Sequence, residues 1–536
     1  MTSTLEPLLP TPRSSLYDSW TARVRADPRR RRLAGWLAPT LITLLAGILR
    51  FWNLGHPHSF IFDETYYVKD SWSQWNLGFP ANWPDRADAR FVLGETDIFT
   101  TAGSYAVHPP LGKWIIGAGM ALFGPDSSLG WRFTTALFGT ALVLLMYLVA
   151  YALVRSTVFA SVAAMLIAID GLAIAMSRVA ILDIFLTFFV LLGFWFVLLD
   201  RRRHLDRLAT VVAQRMIDSQ RMSEGRRPAW GPVFWNRPWL LAAGVAIGAA
   251  TAVKWSGLYV GAGLGVYLVV TDALARRRAG VRLWPADAAF RQGPVAFLLF
   301  VPIGFAVYLA SWTGWLVTDG GFGRHAVDTH PATGFWSWVP LPLQNLWAYH
   351  QQMYGFHVGL SSPHSYASPA WQWPLLVRPT SMYYHADIVG QAGCTATNGC
   401  VQNVYSMPNP LIWWGAIAAV IYLCWRFVRT RDWRYALVLT GVAVTYVPWL
   451  LYPERTIFQF YTIAMLPFLV LALAFALRDI AGAGLVEPAR RKSGQRVVIV
   501  ILVFVVLVSA FWYPILTATS VPYDFWRLHN WLQSWV

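Results

Sequence analysis

The chain has 536 residues, of which 56% are apolar and 13% are charged, whereas an ordinary soluble domain has roughly 45–50% apolar and about 25% charged residues. This composition, with 30 Trp and 31 Phe, excludes a soluble globular protein, because such a fold has too little interior to bury so much apolar surface. It also excludes an intrinsically disordered chain, a collagen-like fibre and a disulfide-stapled secreted module.

Apolar runs that suit membrane-spanning helices recur along the whole chain, since a hydrocarbon core of about 30 Å needs roughly 20 helical residues. The eleven predicted spans are residues 35–52, 130–153, 157–176, 180–199, 238–253, 256–272, 293–312, 410–427, 435–451, 457–477 and 497–516. Two stretches leave alternatives open. Residues 238–272 would form one bent helix or two helices, and 157–199 is interrupted only by Asp170, Arg178 and Asp183. The predicted fold class is an all-α polytopic membrane protein.

The basic residues indicate the orientation of these spans, because cytoplasmic connections carry an excess of Lys and Arg. With a cytoplasmic N-terminus, the inside segments hold 31 of the 43 basic residues. Those segments are 1–34, the turn at Arg155, 200–237, 272–291, 426–434 and 478–496. The C-terminus then lies outside. Membrane topology explains the net charge of +16 without a nucleic-acid partner.

This topology divides the chain into four parts and directs the search for function to the outside loops. The parts are a cytoplasmic Arg-rich N-terminus at 1–34, a transmembrane module at 35–312 that includes the first large outside loop at 53–129, a second large outside loop at 313–409, and C-terminal transmembrane helices with a short outside tail at 410–536. Cys394 and Cys400 lie close together in the second outside loop, where an oxidising compartment would allow a disulfide between them.

Two adjacent carboxylates, Asp63 and Glu64, stand among aromatic residues shortly after the first span. Charged groups near a bilayer are costly unless they are used or paired. A carboxylate held there is a natural general base for an incoming hydroxyl group, and aromatic surroundings would tune its pKa. The alternative is an acidic turn that only caps an amphipathic helix.

The motif HPPLGK, from His108 to Lys113, opens a short apolar helix predicted at 111–123. Pro109 and Pro110 end any preceding helix and start the next one, which places Lys113 in its first turns. Because this helix is too short to span comfortably, we expect an interfacial helix on the outer leaflet with His108 and Lys113 at headgroup level. A contact with a lipid phosphate and a snorkelling lysine are equally compatible with the motif.

Further charges occupy the outer ends of predicted spans. They are Arg132, Arg178 with Asp183, Lys254, and Arg455. In a bundle these ends converge on one water-facing cavity, where cations would neutralise the phosphate of a lipid carrier. The alternative is ion pairing that fixes helix packing, for instance between Arg178 and Asp183.

Aromatic and histidine side chains are dense at 362–375 in the second outside loop, a segment that contains His364. This density is typical of sugar stacking and hydroxyl hydrogen bonding, and an interfacial aromatic belt explains part of it equally well. No metal site is predicted, since the histidines of this loop lack metal-ligand spacing. The acidic stretch 85–97 is compatible with a bound divalent cation, but a solvated loop is the preferred interpretation.

In chain order, these motifs resemble those of bacterial protein O-mannosyltransferases, which are polytopic glycosyltransferases of the GT-C superfamily that use a lipid-phosphate sugar. The resemblance runs from the first predicted span to the last. It rests on FDE at 62–64, HPPLGK at 108–113, Arg132 at the start of a span, SRxxxLD at 177–183, VKWSGL at 253–258 and HSYASPAWQWPL at 364–375. FDE alone is a weak signal, whereas all of these motifs in order are specific.

The resemblance implies a GT-C fold and inverting transfer of mannose from polyprenyl-phosphate mannose to Ser or Thr of secreted or membrane proteins, outside the plasma membrane. It implies that Asp63 is the general base, that Glu64 holds the active-site loop or binds acceptor or sugar, and that Arg132 contacts the donor phosphate. Lys254 and Arg455 match basic positions that face the same region. No cofactor is required, and a divalent cation and docking on the secretion channel are left open.

The chain also departs from the family pattern, and two other functions compete. The loop at 313–409 is too short for the β-trefoil MIR domain that eukaryotic members insert, and HSYAS stands where we expect a Glu in eukaryotic relatives. A related GT-C transferase would move another lipid-linked sugar to a lipid or glycan, and it should lack HPPLGK with VKWSG. A transporter or channel gives no reason for a carboxylate pair in an aromatic outside loop, and it would show two similar halves.

Overall fold

The computed structural model describes residues 15–221, 227–484 and 487–536. Residues 1–14, 222–226 and 485–486, which belong to predicted cytoplasmic segments, lie outside the described residues. Helices dominate the described part of the chain. Those of the first half are α1 (Leu16–Ala26), α2 (Pro28–Phe51), α3 (Glu64–Leu77), α4 (Ala87–Val92), α5 (Leu111–Phe123), α6 (Ser128–Val154), α7 (Thr157–Ile169), α8 (Gly171–Met176), α9 (Asp183–Arg221), α10 (Pro238–Val253) and α11 (Ser256–Arg278).

The second half contains the remaining helices and three strands. The helices are α12 (Trp284–Asp287), α13 (Gly293–Ser311), α14 (Thr313–Val317), α15 (Leu341–Gly359), α16 (Pro410–Thr430), α17 (Trp433–Tyr446), α18 (Leu466–Ile480), α19 (Pro488–Leu516) and α20 (Tyr523–Arg527). The strands are β1 (Thr380–Asp387), β2 (Cys400–Ser406) and β3 (Val521–Pro522).

Each predicted span falls on helical structure. Among the described residues, eight helices are long and apolar enough to cross a membrane. They are α2, α6, α9, α11, α13 with the turns before it, α16, α17 with the 3-10 turn after it, and α19. The helices α7, α10 and α18, at 13, 16 and 15 residues, are shorter. The chain is therefore a multi-pass helical membrane protein.

The two ambiguous stretches are both broken at charged residues. Asp170 ends α7, and its carboxylate accepts a hydrogen bond from the Ala173 amide at 3.1 Å, which caps α8. Residues 177–182 are not helical, and α9 starts at Asp183. The run 238–272 forms two helices, because Lys254 adopts an extended backbone between α10 and α11. These breaks bring charged side chains to helix ends.

The centre of the bundle is α9, which packs against α6 on one side and α10 on the other. In the apolar 18-residue segment of α9, 67% of the residues are buried, whereas the corresponding share is 11% in α2 and 17% in α19. Helices α2 and α19 therefore present their apolar side chains outward. Gly248 of α10 allows a close approach to α13, because a Cβ at Gly248 would lie 2.4 Å from the Gly304 carbonyl oxygen. Small residues at such crossings are typical of helix packing in membranes.

The helix expected at 111–123 is present as α5, and its expected position on the outer leaflet stays a prediction. Helix α5 is packed between α3 and α6. A Cβ at Gly117 would lie 3.0 Å from the Ser71 carbonyl oxygen, and one at Gly119 would lie 2.7 Å from the Gly130 carbonyl oxygen. The two glycines therefore let α5 pack tightly against its neighbours, and the face that carries Lys113 is buried.

The all-α expectation also needs a correction, since the second outside loop contains a small sheet. The strand order is β1-β2-β3, all antiparallel, and β3 comes from the C-terminal tail. A disulfide joins Cys394 to Cys400 at the start of β2. The tail is tied down further by Arg378, whose guanidinium donates to the carbonyl oxygens of Ser534 at 2.6 Å and Val536 at 2.5 Å. The tail is thus part of the loop structure.

Candidate active site

The FDE motif forms the turn into α3. Phe62 has a φ of 51°, in the left-handed region that costs a bulky residue energy, and its ring packs on Phe458, Phe460 and His364 with ring centroids 5.5 to 5.8 Å apart. Glu64 begins the helix, and Asp63 stands at the N-cap without using its side chain as a cap. The aromatic packing of Phe62 therefore fixes where the next residue points.

Asp63 is half-buried, and its carboxylate makes no hydrogen bond or ion pair to any residue that the structure describes. Burial raises the pKa of Asp63 to about 6, with Lys254 opposing the rise and Asp183 adding to it. These influences put the Asp63 carboxylate in the same region as Lys254 and Asp183. A carboxylate with this pKa and no committed partner is suited to accept a proton near neutral pH.

Glu64 is occupied in a different way. It is fully buried, and its carboxylate accepts from the amides of Ile61 at 2.8 Å and Ala180 at 2.7 Å. Both oxygens also accept from Arg132, through Nε and Nη2 at 2.8 Å each. This bidentate pair links the FDE turn to α6 and to the segment before α9. Of the roles implied for Glu64, these contacts agree with holding the active-site loop in place rather than with binding acceptor or sugar.

The guanidinium of Arg132 is occupied by protein acceptors. The side chain is fully buried, and beyond Glu64 it donates to the carbonyl oxygens of Pro57 at 2.9 Å and Ser59 at 2.8 Å. Nε, Nη1 and Nη2 thus all have protein acceptors, and the expected contact with the donor phosphate stays a prediction. The arginine stabilises the backbone of residues 54–59.

Arg178 also differs from both expectations. It donates to the carbonyl oxygens of Arg50 at 2.9 Å, Trp52 at 2.8 Å and Asn53 at 3.2 Å, which are the last acceptors of α2 and its exit. It therefore neither faces the cavity described below nor pairs with Asp183. Buried carbonyl groups at a helix end need such donors, and arginine supplies several at once.

Asp183 instead pairs with Lys254, with 2.7 Å between Oδ2 and Nζ. The Lys254 ammonium also lies 4.9 Å from the centroid of the Tyr461 ring. Asp183 begins α9 and Lys254 separates α10 from α11, so the two helix breaks bring this pair together. Both residues line a cavity of about 320 Å³.

A second cation, Arg455, lines the same cavity. Its Nη2 donates to His357 Nδ1 at 3.1 Å, and His357 Nε2 donates to the Val107 carbonyl oxygen at 2.7 Å, so His357 is held in its neutral form. Burial lowers the pKa of His357 to about 4, with Arg455 as the next cause. Arg455 Nε is buried without a hydrogen-bond partner among the described residues. This guanidinium has donors available for an anion.

The HPPLGK motif contributes one residue to the cavity. His108 lines it, and its ring stacks on His357 with centroids 5.0 Å apart. Lys113 does not reach the cavity, because it is only 1% exposed and its Nζ donates to the His108 carbonyl oxygen at 2.7 Å. Lys113 therefore neither snorkels nor meets headgroups, and it supports the His108 backbone.

Many of the other side chains that line the cavity are apolar. Its lining includes Leu186 and Val190 of α9, Leu258 of α11, and Val444 of α17 with Pro448 just after it. A cavity with cations at one end and aliphatic walls between helices is suited to an amphiphile with an anionic headgroup. The apolar side faces the contact between α11 and α17.

The second-loop segment predicted to contact sugar covers the FDE turn. His364 is exposed, and its ring lies 4.9 Å from Phe458 and 5.8 Å from Phe62 by centroid distance. His364 therefore contacts Phe62, the residue before Asp63. It does not line the cavity. Its Nδ1 accepts from the Tyr366 amide at 3.1 Å.

Sequence reasoning missed several residues of the cavity. His357, Tyr259, Tyr452 and Tyr461 all line it, and the hydroxyl groups of Tyr259 and Tyr452 are 2.8 Å apart. Tyr452 lies three residues before Arg455, in the sequence YPER, and could have been found from that neighbour. The position of His357 follows from the packing of α15 against the first outside loop, which has no short-range sequence signal.

The described residues contain no group of three or more His, Cys, Asp or Glu side chains placed to hold a metal ion. The acidic stretch has local partners instead. Asp88 pairs with Lys69 at 2.5 Å and Glu95 with Arg90 at 2.5 Å, and Asp97 accepts from the Trp72 indole at 2.8 Å. No step of the chemistry proposed below uses a metal.

Fold and site together define a multi-pass membrane protein in which a carboxylate without a partner among the described residues lies in the region of a cavity lined by two cations and aliphatic side chains. A family model for dolichyl-phosphate-mannose-protein mannosyltransferase matches residues 40–209, and one for the C-terminal four-transmembrane region of protein O-mannosyltransferase matches residues 342–535. The chain belongs to the protein O-mannosyltransferase family, which confirms the resemblance seen in the motifs.

Similar proteins and structures support this membership. The chain is 36% identical over 515 residues to a polyprenol-phosphate-mannose–protein mannosyltransferase of Mycobacterium tuberculosis, covering 94% of this chain and 92% of the relative. A protein of the same name from Corynebacterium glutamicum is 28% identical over 501 residues, covering 92% and 91%. The yeast protein O-mannosyltransferase Pmt1-Pmt2 complex bound to the sugar donor matches the fold with a TM-score of 0.68, 16% identity, and coverage of 94% and 92%.

Proposed function

We propose that this protein transfers mannose from polyprenyl-phosphate mannose to Ser or Thr hydroxyl groups of proteins. The observation that carries the proposal is the Asp63 carboxylate, which has no hydrogen-bond or ion-pair partner among the described residues and interacts electrostatically with Lys254 and Asp183. Both of these residues line the cavity that also contains Arg455 and aliphatic side chains. Family membership supplies the sugar and the lipid carrier, since the relatives that match nearly the whole chain are named for that donor and for protein acceptors.

The donor phosphate would bind between Lys254 and Arg455. Among the described residues, Arg455 Nε is a buried donor without a partner, and Lys254 has one carboxylate partner, Asp183. The prenyl chain would then follow the apolar wall between α11 and α17 and leave the protein into the bilayer. Charge-assisted hydrogen bonds to phosphate are among the stronger polar contacts in proteins.

The chemistry follows from these positions. Asp63 removes the proton from the acceptor hydroxyl as its oxygen bonds to the anomeric carbon of mannose. The bond from that carbon to the phosphate oxygen breaks on the opposite face, and the electron pair leaves with polyprenyl phosphate. The transition state is oxocarbenium-like, as in inverting glycoside hydrolysis, but the departing phosphate needs cations rather than a carboxylic acid. A β-linked donor therefore gives an α-linked product.

The acceptor peptide would approach from the aromatic side of Asp63. The segment 364–375 lies over Phe62, and His364 is exposed there. We propose that this surface, with no MIR domain in the loop at 313–409, positions the acceptor chain. Tyr and His side chains offer stacking and hydrogen bonds to a passing peptide or sugar.

We also propose that the site faces the extracytoplasmic side of the plasma membrane. The arginine-rich ends of α9, α11 and α16 lie at the far ends of these helices from the cavity, in agreement with the excess of positive charge expected inside. The same argument supports a cytoplasmic N-terminus, eleven spans, an outside C-terminus and the four-part division at 34, 312 and 409. Docking on the secretion channel stays a prediction from sequence.

The function can be tested with purified full-length protein in liposomes. Synthetic polyprenyl-phosphate mannose carrying labelled mannose is the donor, and the acceptor is a Ser/Thr/Pro-rich peptide, with the same peptide bearing Ala at every Ser and Thr as control. The proposal predicts label on the first peptide only. Transfer from another lipid-phosphate sugar to a lipid or glycan, with none from the mannose donor, would instead favour a related GT-C activity.

The pH dependence of transfer should report on Asp63. The base must be deprotonated and its pKa is about 6, so kcat/KM should be constant above about pH 7 and fall about tenfold per pH unit well below pH 6. Asp70 on the same helix also has a pKa raised to about 6 by burial. If Asp63 is the base, the fall in kcat/KM at low pH must persist in Asp70→Asn. If that fall disappears in Asp70→Asn, the titrating group is Asp70 and not Asp63.

Arg455→Gln should weaken use of the donor. Loss of a charged hydrogen bond to phosphate is expected to raise the donor KM about 10- to 100-fold, with the acceptor KM little changed. Arg86→Gln is the matched control, because Arg86 is exposed in the first outside loop and does not line the cavity. An unchanged donor KM in Arg455→Gln would remove Arg455 from the phosphate site.

A further inference from the structure

A second cavity opens at the other end of the same helices. It has a volume of about 700 Å³ and lies between α9, α11, α17 and the end of α16. Helix α11 begins at Ser256, two residues after Lys254, and ends at Arg278. Its 23 residues span about 35 Å at 1.5 Å per residue. The second cavity includes Arg278 and so lies across the membrane from the candidate active site.

The walls of this second cavity are apolar and reach the lipid-facing surface. Val266, Val270 and Leu274 of α11 line it, and all three are at least 40% exposed. Ala436 and Ala443 of α17 form the facing wall. The surface is therefore a cleft between two helices that an acyl chain could enter from the bilayer.

Three arginines line the same cavity: Arg201, Arg278 and Arg431. None of the three makes an ion pair with a carboxylate of the described residues. Arg201 lies over the Trp433 ring, 4.3 Å from its centroid. The nearby carboxylate of Asp432 pairs with Arg434 at 3.0 Å rather than with any of them. The end of the cleft therefore holds three arginines that form no ion pair with a carboxylate of the described residues.

We propose that this cleft binds one anionic membrane lipid. Its phosphate would lie among Arg201, Arg278 and Arg431, and one acyl chain would lie between α11 and α17. The charge of the arginines selects an anionic headgroup, and the aliphatic walls select a chain rather than a soluble phosphate. The sugar donor does not explain this site, because its phosphate belongs with Lys254 and Arg455 at the opposite end.

The two cavities share a pair of helices. Helices α11 and α17 wall both of them and meet between them at Gly263, where a Cβ would lie 2.1 Å from Val444 Cγ1. A lipid bound in the second cavity would pack against both helices next to this contact. Because a ligand that binds only the folded protein stabilises it, we expect the lipid to raise the thermal unfolding temperature.

The test is lipid binding to the delipidated full chain in detergent, followed by native mass spectrometry. Palmitoyl-oleoyl phosphatidylglycerol is the probe, and phosphatidylcholine with the same chains is the neutral comparison. The triple variant R201Q/R278Q/R431Q should bind phosphatidylglycerol on the order of 100-fold more weakly than wild type. The control R202Q/R277Q/R429Q removes three neighbouring arginines that do not line the cavity, and it should change binding less than about fivefold.

Three outcomes would overturn the proposal. They are equal binding of phosphatidylcholine and phosphatidylglycerol, an equal loss in the control variant, and full competition by water-soluble glycerophosphoglycerol, which would mean that the acyl chain contributes nothing. If the triple variant does not fold, R278Q/R431Q replaces it, because both side chains are exposed and Arg201 stays on Trp433. That double variant should still lose more than tenfold in affinity, and unchanged affinity would also overturn the site.

Discussion

Asp63→Asn is expected to reduce mannose transfer by about 10²- to 10⁴-fold, the contribution typical of a positioned general base. The reason is chemical, because an amide of the same shape cannot take the hydroxyl proton. The fold should survive, since the Asp63 carboxylate has no hydrogen bond or ion pair to the described residues that the change would break. Single-turnover transfer at saturating donor measures the rate, and direct binding of labelled donor measures whether the cavity is intact.

Asp70→Asn is the matched control for this variant. Asp70 lies on the same helix and also has a pKa raised to about 6 by burial, but the charges that act on it are Lys113 and Lys69, whereas Asp63 interacts with the cavity residues Lys254 and Asp183. Its replacement should leave the single-turnover rate within about threefold of wild type. A wild-type rate in Asp63→Asn would remove Asp63 from the mechanism, and loss of donor binding in that variant would give Asp63 a binding role instead.

Arg132→Ala is expected to destabilise the protein by about 3–5 kcal/mol, because it leaves the fully buried Glu64 carboxylate without its ion-pair partner. Activity would be lost through collapse of the FDE turn rather than through weaker donor contacts. The thermal unfolding temperature of purified protein, measured with and without donor, checks this. Any active fraction should keep a near-normal donor KM.

The double variant Glu64→Ala/Arg132→Ala sharpens the test. Removing both charges avoids an unpaired buried ion, so the double variant should be more stable than the sum of the two single losses predicts. If Arg132→Ala keeps the wild-type unfolding temperature and only raises the donor KM, then Arg132 contacts the donor phosphate as its motif position implied.

The positions of the spans could be predicted from sequence because the bilayer demands long apolar helices wherever the chain crosses it. Even the breaks at Asp170 and Lys254 were visible as charges inside apolar runs. The ion-pair partners of the charged side chains could not be predicted from the sequence. Asp183 has Arg178 five positions away in the chain, yet it pairs with Lys254, 71 positions away. The packing of α9 against α10 determines that Lys254 is the ion-pair partner of Asp183.

The same limit explains Arg132 and Lys113. Their motifs indicated a functional region, but no motif says whether a side chain points to a cavity or into the protein. Gly117 and Gly119 decide this for α5, because they allow contact distances that turn Lys113 inward. The small sheet was missed for a related reason. Strand β3 has two residues and pairs with β2, 121 positions earlier in the chain, so no local pattern predicts it.

The most direct test of the proposed active site is the structure of the Asp63→Asn protein with polyprenyl-phosphate mannose bound. The variant prevents turnover while keeping the cavity. We predict the phosphate within hydrogen-bonding distance of Lys254 and Arg455, the prenyl chain between α11 and α17, and the anomeric carbon facing residue 63. A phosphate bound elsewhere, or a mannose whose anomeric carbon is out of reach of residue 63, would contradict the assignment of this cavity and of Asp63 as the base.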